Sequence, residues 1–396
     1  MKKIFVNLTI ALLFCSLITY AQGTIWGTNQ YGGSSGGGVL FKVNFDGTNY
    51  QKVKDFTLDI PGNNPSARLV AGPSPSFNTK LFGTTGQGGI YYGGVIFKYD
   101  PASGSYTRVY DFTQSSGRYP LGSMVLYNNK FYGLTSSGGA SDGGVVFSFD
   151  PTSGTYTKEA DFNSSTTGST PNGYLTLYNN KFYGTTSAGG ANNAGVLFEF
   201  DPTKSAGLNL TNKYDFATGS SPKGELVVSG SLIYGVTSAG GANNLGTIFE
   251  FDPSASVGSN YMKKVDFDAT TGSTPTVGMT LVSSNLYGVT YAGGANSKGT
   301  IFQYAPGATS ITVKADIPAY PFSGILPSGT MLYTNNLLYG NNSYSMFSYD
   351  PTQSGPASFK TVAVYDYNNT GVDAQGGWGV PCFGKTATVV NIALVV

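Results

Sequence analysis

The chain of 396 residues contains no histidine, and only 11% of its residues are charged. Without histidine, a Ser-His-Asp or Cys-His catalytic arrangement cannot form, and metal sites that use histidine are excluded. The 22 Lys and Arg residues nearly balance the 21 Asp and Glu residues. The chain therefore lacks the basic excess of a nucleic-acid-binding protein, and we expect no nucleic-acid partner. Catalysis would have to rely on Asp, Glu, Lys, Tyr or Arg, which suffices for glycoside chemistry.

Cysteine is also scarce, since Cys15 and Cys382 are the two in the whole chain. Cys15 lies within the apolar N-terminal segment described below. Removal of that segment would leave Cys382 as a single thiol, which cannot form an intrachain disulfide. The fold must then be stabilised by its core alone, and the sequence does not define a role for Cys382.

The N-terminus has the pattern of a secretory signal peptide. Lys2 and Lys3 precede a mainly apolar run over residues 4–18, and Thr19-Tyr20-Ala21 offers a cleavage site. The run is shorter than the roughly 20 residues that a membrane-spanning helix needs. We predict a signal peptide at residues 1–21 and a single secreted or cell-surface domain at 22–396, with no membrane span after cleavage.

No helical pattern of useful length follows this segment, whereas an aromatic-glycine pair recurs along the rest of the chain. The glycines are 50 to 56 residues apart, a period typical of propellers. The seven pairs are Trp26-Gly27, Phe82-Gly83, Tyr132-Gly133, Tyr183-Gly184, Tyr234-Gly235, Tyr287-Gly288 and Tyr339-Gly340.

Each repeat has the same internal order, which residues 120–162 illustrate. Short aromatic and β-branched runs predict four strands, and all connections between them are of hairpin size. The predicted strands cover 123–127, 130–135, 145–149 and 155–160, with a glycine-rich loop at 136–144. The unit is therefore expected to be a four-stranded antiparallel meander.

Seven such units predict an all-β, seven-bladed β-propeller, with an open β-solenoid as the alternative. The first unit begins near Ile25, at its second strand. Near the C-terminus, Pro381-Cys382-Phe383-Gly384 matches the opening Pro120-Leu121-Gly122 of a complete unit. We therefore expect a C-terminal strand at residues 385–390 to complete the first blade.

The repeats at residues 182–202, 233–253 and 286–306 share a consensus. It reads Leu-Tyr-Gly-Thr-Thr-Ser-x-Gly-Gly-Ala, then Gly-x-Val/Ile-Phe, then Phe-Asp-Pro. This consensus resembles the Gloeo/Verruco (GLoVer) tandem repeat of secreted bacterial proteins, and repeat matches cover nearly all of the mature chain. The resemblance implies an extracytoplasmic location, often with a surface-sorting device at the C-terminus, and no established activity.

The glycine-rich loops are the first candidate for a ligand-binding site, because all of them join the same two strands and so share one face. Their asparagines could bind sugar hydroxyls, although paired glycines also serve simply to supply positive φ in a tight loop. A non-repeat segment at 371–383 could fold over one face as a lid or act as a linker. The candidate ligand-binding residues are Asn192, Asn193, Asn243, Asn244, Tyr291, Asn296 and Trp378.

An aspartate that occurs once per repeat is the second candidate. A ring of these carboxylates could bind Ca²⁺, and no other cofactor is expected. The alternative is that each aspartate caps nearby backbone N–H groups at a strand end, which we favour because the feature recurs in every unit. The set is Asp55, Asp111, Asp161, Asp215, Asp266, Asp316 and Asp366.

A specific site is expected at residues that differ from their equivalents in the other repeats. Arg68, Arg108 and Arg118 cluster near the second copy. Glu199 and Glu250 alternate with phenylalanines that face the core, so both should point to solvent, whereas the repeated Tyr of the aromatic-glycine pair should pack between blades. No pair of carboxylates stands out from its repeat equivalents.

These features favour a secreted, non-catalytic binding or scaffold protein whose ligand is a glycan or a cell-surface protein. A polysaccharide-active hydrolase or lyase that uses Asp or Glu near the propeller channel is one alternative. A structural part of an adhesin is the other.

Overall fold

Seven small antiparallel sheets follow one another along the chain. The computed structural model describes residues 24–30, 32–57, 61–65, 67–73, 76–77, 79–171, 174–217, 220–317, 329–341, 345–353, 358–364 and 390–395. The sheets are arranged as a seven-bladed β-propeller, as predicted. Within these ranges no helix is long and apolar enough to cross a membrane.

The strands are assigned to blades in chain order. Blade 1 contains β1 (Thr24–Asn29), β2 (Val39–Asn44) and β3 (Gln51–Asp55); blade 2 contains β4 (Val70–Ala71), β5 (Leu81–Thr85), β6 (Val95–Asp100) and β7 (Ser105–Asp111); blade 3 contains β8 (Val125–Tyr127), β9 (Lys130–Thr135), β10 (Val145–Asp150) and β11 (Thr155–Asp161). Blade 4 contains β12 (Ser169–Pro171), β13 (Thr176–Tyr178), β14 (Lys181–Ala188), β15 (Val196–Phe200) and β16 (Leu210–Asp215); blade 5 contains β17 (Pro222–Ser229), β18 (Leu232–Thr237), β19 (Thr247–Phe251) and β20 (Tyr261–Asp266). Blade 6 contains β21 (Thr280–Val282), β22 (Asn285–Val289), β23 (Thr300–Tyr304) and β24 (Thr312–Asp316); blade 7 contains β25 (Leu332–Thr334), β26 (Leu337–Asn341), β27 (Ser345–Tyr349) and β28 (Phe359–Val364), and the last strand is β29 (Val390–Val395).

Blade 3 shows how local sequence forms the predicted meander. Asn128 and Asn129 have φ of 48° and 61°, the conformation that a two-residue hairpin between β8 and β9 requires. Strands β9 and β10 then pair antiparallel, and β10 pairs with β11 across a register shift between Val146 and Phe147. The same irregularity recurs before the equivalent phenylalanine in the other blades. The four strands of this unit lie within two residues of their predicted bounds.

The two ends of the chain meet in blade 1, as predicted. Strand β29 pairs antiparallel with β1, with Ala393 opposite Trp26. The predicted position of the closing strand, 385–390, is wrong: the strand runs from Val390 to Val395. Residues 390–395 are apolar except for Asn391, whereas 385–390 begins with a lysine and contains two threonines. An innermost strand favours the more apolar segment. Residues 381–384 lie outside the described residues.

Seven hydrophobic clusters lie between neighbouring blades, and each contains the aromatic residue of an aromatic-glycine pair. Tyr183 of blade 4, for example, packs with Ile233, Phe249 and Phe251 of blade 5. Tyr339 of blade 7 closes the ring by packing with residues of blade 1. The prediction that Tyr132, Tyr183, Tyr234 and Tyr287 pack between blades is confirmed, since their exposed fractions are 7%, 2%, 1% and 5%.

The glycine of each pair leaves space for a phenylalanine ring on the adjacent strand. A Cβ atom at Gly184 would lie 2.5 Å from Cζ of Phe198, and the distance at the equivalent position is between 2.3 and 2.6 Å in every blade. No side chain can approach a carbon atom so closely. The requirement at these seven positions is therefore space and not an unusual φ.

Replacing Gly184 by Ala should lower the free energy of unfolding by about 1–3 kcal/mol, because the added methyl group forces the Phe198 ring out of its packed position. Chemical denaturation of the variant measures this loss. The matched control is Gly230→Asn, at a turn glycine with φ of 63° and open space around its Cβ position. Asn tolerates this φ, so the control should change stability by less than about 0.5 kcal/mol. Equal effects of the two substitutions would contradict the packing role.

Deleting residues 390–396 should lower the melting temperature by about 10 °C or more, because it leaves β1 as an unpaired inner edge beside a buried core. Calorimetry of the truncated chain measures the change. A synthetic peptide of residues 385–396 should restore part of the lost stability, and a peptide of the same composition in scrambled order should not. An unchanged melting curve would show that the closing strand is dispensable.

Candidate functional site

In blades 1 to 6, a repeated aspartate lies beneath the glycine-rich loop, at the end of the outer strand. In blade 3, the backbone N–H of Ala140 donates to Oδ1 of Asp161 at 2.8 Å, and Lys158 pairs with Oδ2 at 2.8 Å. Asp55, Asp111, Asp215, Asp266 and Asp316 accept an equivalent loop N–H at 2.6–3.2 Å. Across the described residues, no three Asp, Glu or Cys side chains come together as a metal site. The geometry supports the capping role that the sequence favoured; Asp366 lies outside the described residues.

The predicted asparagines hold these loops to the blade beneath them. Nδ2 of Asn192 donates to the carbonyl oxygen of Phe216 at 3.0 Å, and Asn243 and Asn296 make the same contact with the residues that directly follow β20 and β24. Asn193 and Asn244 have φ of 53° and 54°, and their Oδ1 atoms accept loop N–H groups. These amides remain exposed to solvent but already stabilise the loop. Tyr291 is 40% exposed, and Trp378 lies outside the described residues.

One loop differs from the others by an apolar tip. Ile90, Tyr91 and Tyr92 in blade 2, called the loop tip below, are 56%, 57% and 67% exposed. The equivalent residues in blade 3 are Ala140, Ser141 and Asp142. Tyr92 has φ of 55°, where an aromatic residue is strained. The sequence pattern did not single out these three residues.

The central channel provides a second set of non-equivalent residues. On the inner strand of each blade, one residue pairs with the repeated aromatic residue; in blade 2, Val70 pairs with Phe82. The position of interest lies two residues earlier, and in blade 2 it is Arg68. The residues at this position in blades 2 to 7 are Arg68, Ser123, Tyr174, Glu225, Gly278 and Thr330. An architectural position would carry the same residue type in every blade. Here each blade carries a different one.

An ion pair crosses the channel between blades 2 and 5. The guanidinium of Arg68 contacts Oε2 of Glu225, and its carbon lies 5.0 Å from the centre of the Tyr174 ring. The backbone N–H of Arg68 donates to Oγ of Ser123 at 2.6 Å. Burial raises the pKa of Tyr174 to about 12, so its hydroxyl stays protonated. These four residues surround a pocket of about 320 Å³ that apolar residues of the inner strands complete.

Only one residue of this channel pair, Arg68, stands out in the sequence. Arg68 stood out as one of three arginines near the second copy, but Glu225 is 157 residues away, and no motif connects the two. Arg108 instead pairs with Asp111 at 3.0 Å. Arg118 donates to the hydroxyl of Tyr119 at 2.8 Å. Of the three arginines near the second copy, Arg68 is the one that lines the channel pocket.

The expectation that Glu199 points to solvent is wrong. Glu199 is 5% exposed, and its carboxylate accepts hydrogen bonds from Lys181 at 2.9 Å and from the hydroxyl of Tyr183 at 2.8 Å. Burial by itself would raise the pKa of Glu199, but these hydrogen bonds and the nearby Lys213 hold the pKa below its usual value. Glu250 is also partly buried, and it accepts from the hydroxyl of Tyr234 at 2.9 Å. The error arose because the cross-strand tyrosine hydroxyl draws the carboxylate inward.

Replacing Glu199 by Gln should cost about 2 kcal/mol of stability at pH 7, because charged hydrogen bonds are lost. Since the pKa of Glu199 is lowered in the folded state, the carboxylate stabilises the fold above the unfolded pKa of about 4.3 and stops doing so as pH falls below it. The stability difference between wild type and E199Q should therefore shrink between pH 5 and about pH 3. Denaturant titrations across this range measure the difference. E250Q should lose less stability at pH 7, because the Glu250 carboxylate is more exposed than that of Glu199. A stability difference for E199Q that does not change with pH would refute the stabilising role of the Glu199 carboxylate.

Solved structures share this fold at low sequence identity. A putative 6-phosphogluconolactonase from Bacteroides uniformis ATCC 8492 matches with a TM-score of 0.55 and 14% identity, over 94% of this chain and 100% of that one. The tricorn protease matches with a TM-score of 0.43 and 11% identity over 75% of this chain, which spans 26% of the protease. A prolyl endopeptidase matches with a TM-score of 0.45 and 10% identity, over 80% of this chain and 44% of that one. The likeness to the lactonase structure, at 14% identity, shows the fold alone.

The curated proteins include no significant match to this sequence. The Gloeobacter/Verrucomicrobia repeat matches at residues 14–180 and 165–353, which together cover most of the chain. The seven blades, with their aromatic-glycine pairs and glycine-rich loops, are the structural form of this repeat, and the chain belongs to the Gloeobacter/Verrucomicrobia repeat family.

Proposed function

We propose that the protein is a non-catalytic, extracytoplasmic binding protein that contacts a glycan through the face formed by its glycine-rich loops. The N-terminal segment, with its two lysines, apolar run and small-residue cleavage site, supports a location outside the cytoplasm. The loop tip of Ile90, Tyr91 and Tyr92 is the observation that carries the binding role. In this tip the fold exposes three large side chains that the other loops replace with small or polar residues.

Strain at Tyr92 supports a role in binding and not in folding. The equivalent residues Gly36, Asp142, Asn193, Asn244 and Ser297 have a similar positive φ, but this φ costs a tyrosine more free energy than it costs glycine, asparagine or aspartate. The ring gains little from burial in return, since it is 67% exposed. An exposed aromatic side chain at this position weakens the fold, and the other described loops lack one, which is more consistent with ligand contact than with architecture.

A glycan fits the loop tip better than a protein partner does. Tyrosine presents an apolar ring face together with a polar hydroxyl, which suits a sugar ring with its C–H face and hydroxyl groups. A stable protein interface buries about 800 Å² on each partner, far more than three side chains supply. The surrounding loop residues are chiefly glycine, serine, alanine and asparagine, so the surface carries little charge and suits a neutral polysaccharide.

A polysaccharide-active enzyme remains the alternative, and no particular contact favours it. Glycoside hydrolysis typically uses two carboxyl groups about 5–9.5 Å apart. Among the described residues that line the channel pocket, Glu225 is the one carboxylate, and it is paired with Arg68. The channel thus offers a carboxylate with a cation and not a pair of acids. An adhesin role would be compatible with the same binding face.

Binding of the mature chain to a glycan array, with turnover assays on the same polysaccharides, tests the proposal. We expect binding without release of sugar products. The double variant Tyr91→Ser, Tyr92→Asn should bind the retained glycan about tenfold or more weakly, which corresponds to about 1.4 kcal/mol. Asn is chosen at position 92 because it tolerates the positive φ.

Leu208→Ser provides the matched control. Leu208 is 72% exposed and lies in the hairpin between β15 and β16, at the opposite end of the strands from the glycine-rich loops. This variant should bind as wild type does. Equal binding by the loop-tip variant and the wild type would contradict the site, and turnover of a bound polysaccharide would favour the enzyme.

A further inference from the structure

We infer that the channel pocket is a second binding site, separate from the loop tip, for a small neutral polyhydroxy compound such as a monosaccharide or an inositol. The pocket lies among the inner strands, and its polar lining comes from Arg68, Ser123, Tyr174 and Glu225. Each of these residues occupies the same position in a different blade. The inference stands on this lining and does not depend on the loop tip.

The charge of the pocket selects a neutral ligand. Arg68 and Glu225 neutralise each other, and no other charged residue lines the pocket within the described ranges. A ligand with a net charge would have to separate this partly buried pair or remain unpaired beside it, and both arrangements are costly. A neutral ligand leaves the pair intact and incurs neither cost.

The hydroxyl groups of a ligand can use the donors of Arg68 and the acceptors of Glu225 that the ion pair does not occupy. A guanidinium has five N–H donors and a carboxylate has about four acceptor positions, so one ion-pair contact uses a minor part of each. A hydroxyl can accept from Arg68 while its neighbour on the same ring donates to Glu225. Both side chains are accessible to such a ligand, since 24% of Arg68 and 23% of Glu225 is exposed.

The apolar lining and the volume of the pocket also suit a sugar ring. Leu69, Met124 and Leu332 provide apolar lining for the C–H groups of a sugar. The volume of about 320 Å³ is at the lower end of the range for small-molecule pockets and suits a single sugar ring.

Gly278 allows the inner strands to come close enough to place Glu225. A Cβ atom at Gly278 would lie 2.4 Å from the carbonyl oxygen of Glu225 and 2.8 Å from Oγ1 of Thr330. Any larger residue in blade 6 would push β17 and β21 apart. The glycine therefore positions the backbone of Glu225, a lining residue, and leaves room for the Thr330 side chain.

A purely structural ion pair is the competing explanation, and ligand titration separates the two. Isothermal titration calorimetry of the full mature chain would use D-glucose, D-galactose, N-acetyl-D-glucosamine and myo-inositol, with D-glucuronate and D-glucosamine as charged probes. We expect at least one neutral probe to bind with a stoichiometry of one. The charged probe of the same ring shape should bind at least tenfold more weakly.

Glu225→Gln should weaken binding of the neutral probe at least tenfold, because it replaces the charged acceptor without changing the shape of the side chain. If E225Q proves unfolded in a melting experiment, Tyr174→Phe gives an uncharged test at a residue that lines the pocket and should weaken binding about threefold or more. Leu208→Ser is the control that should leave binding unchanged. The inference is overturned if none of the four neutral probes binds, if both channel variants bind as wild type does, or if glucuronate binds more tightly than glucose.

Discussion

A phenylalanine ring that lies across the backbone of a glycine is the contact on which the rest of the structure depends. Successive residues of a strand point to opposite faces of its sheet, so the two residues of each aromatic-glycine pair serve different interfaces. In blade 4, Tyr183 packs into the core shared with blade 5. Gly184 admits the Phe198 ring, which packs into the core shared with blade 3. One dipeptide thus joins each blade to both of its neighbours.

Seven copies of this arrangement leave few positions free for specific chemistry. The glycine-rich loops are held by the aspartate and asparagine contacts beneath them, and the repeated aromatics are buried between blades. Residues that differ between blades are therefore informative. They concentrate at the loop tip in blade 2 and at one channel position, where arginine, serine, tyrosine, glutamate, glycine and threonine replace one another. Architecture and recognition occupy different residues of the same repeat.

The sequence predicts the architecture well because the repeat shows it seven times. The period, the aromatic-glycine pairs and the hairpin connections give the strand order of a blade, and the partial units at the two ends give closure. The register of the closing strand could not be predicted, because residues 381–384 imitate a repeat opening while the more apolar 390–395 forms the strand. Glu199 was misplaced because strand alternation alone ignores the tyrosine and lysine hydrogen bonds that bury its carboxylate. The pairing of Arg68 with Glu225 depends on two inner strands 157 residues apart, which no local pattern reports.

A double-mutant cycle between Gly184 and Phe198 measures this contact directly. If the ring needs the space that glycine leaves, Phe198→Leu should relieve the strain that an alanine at position 184 creates. The double variant would then lose less stability than the sum of the losses in the two single variants, and the coupling energy would be about 1 kcal/mol or more. Strict additivity of the two substitutions in chemical denaturation would show instead that the packing of the ring does not depend on the glycine.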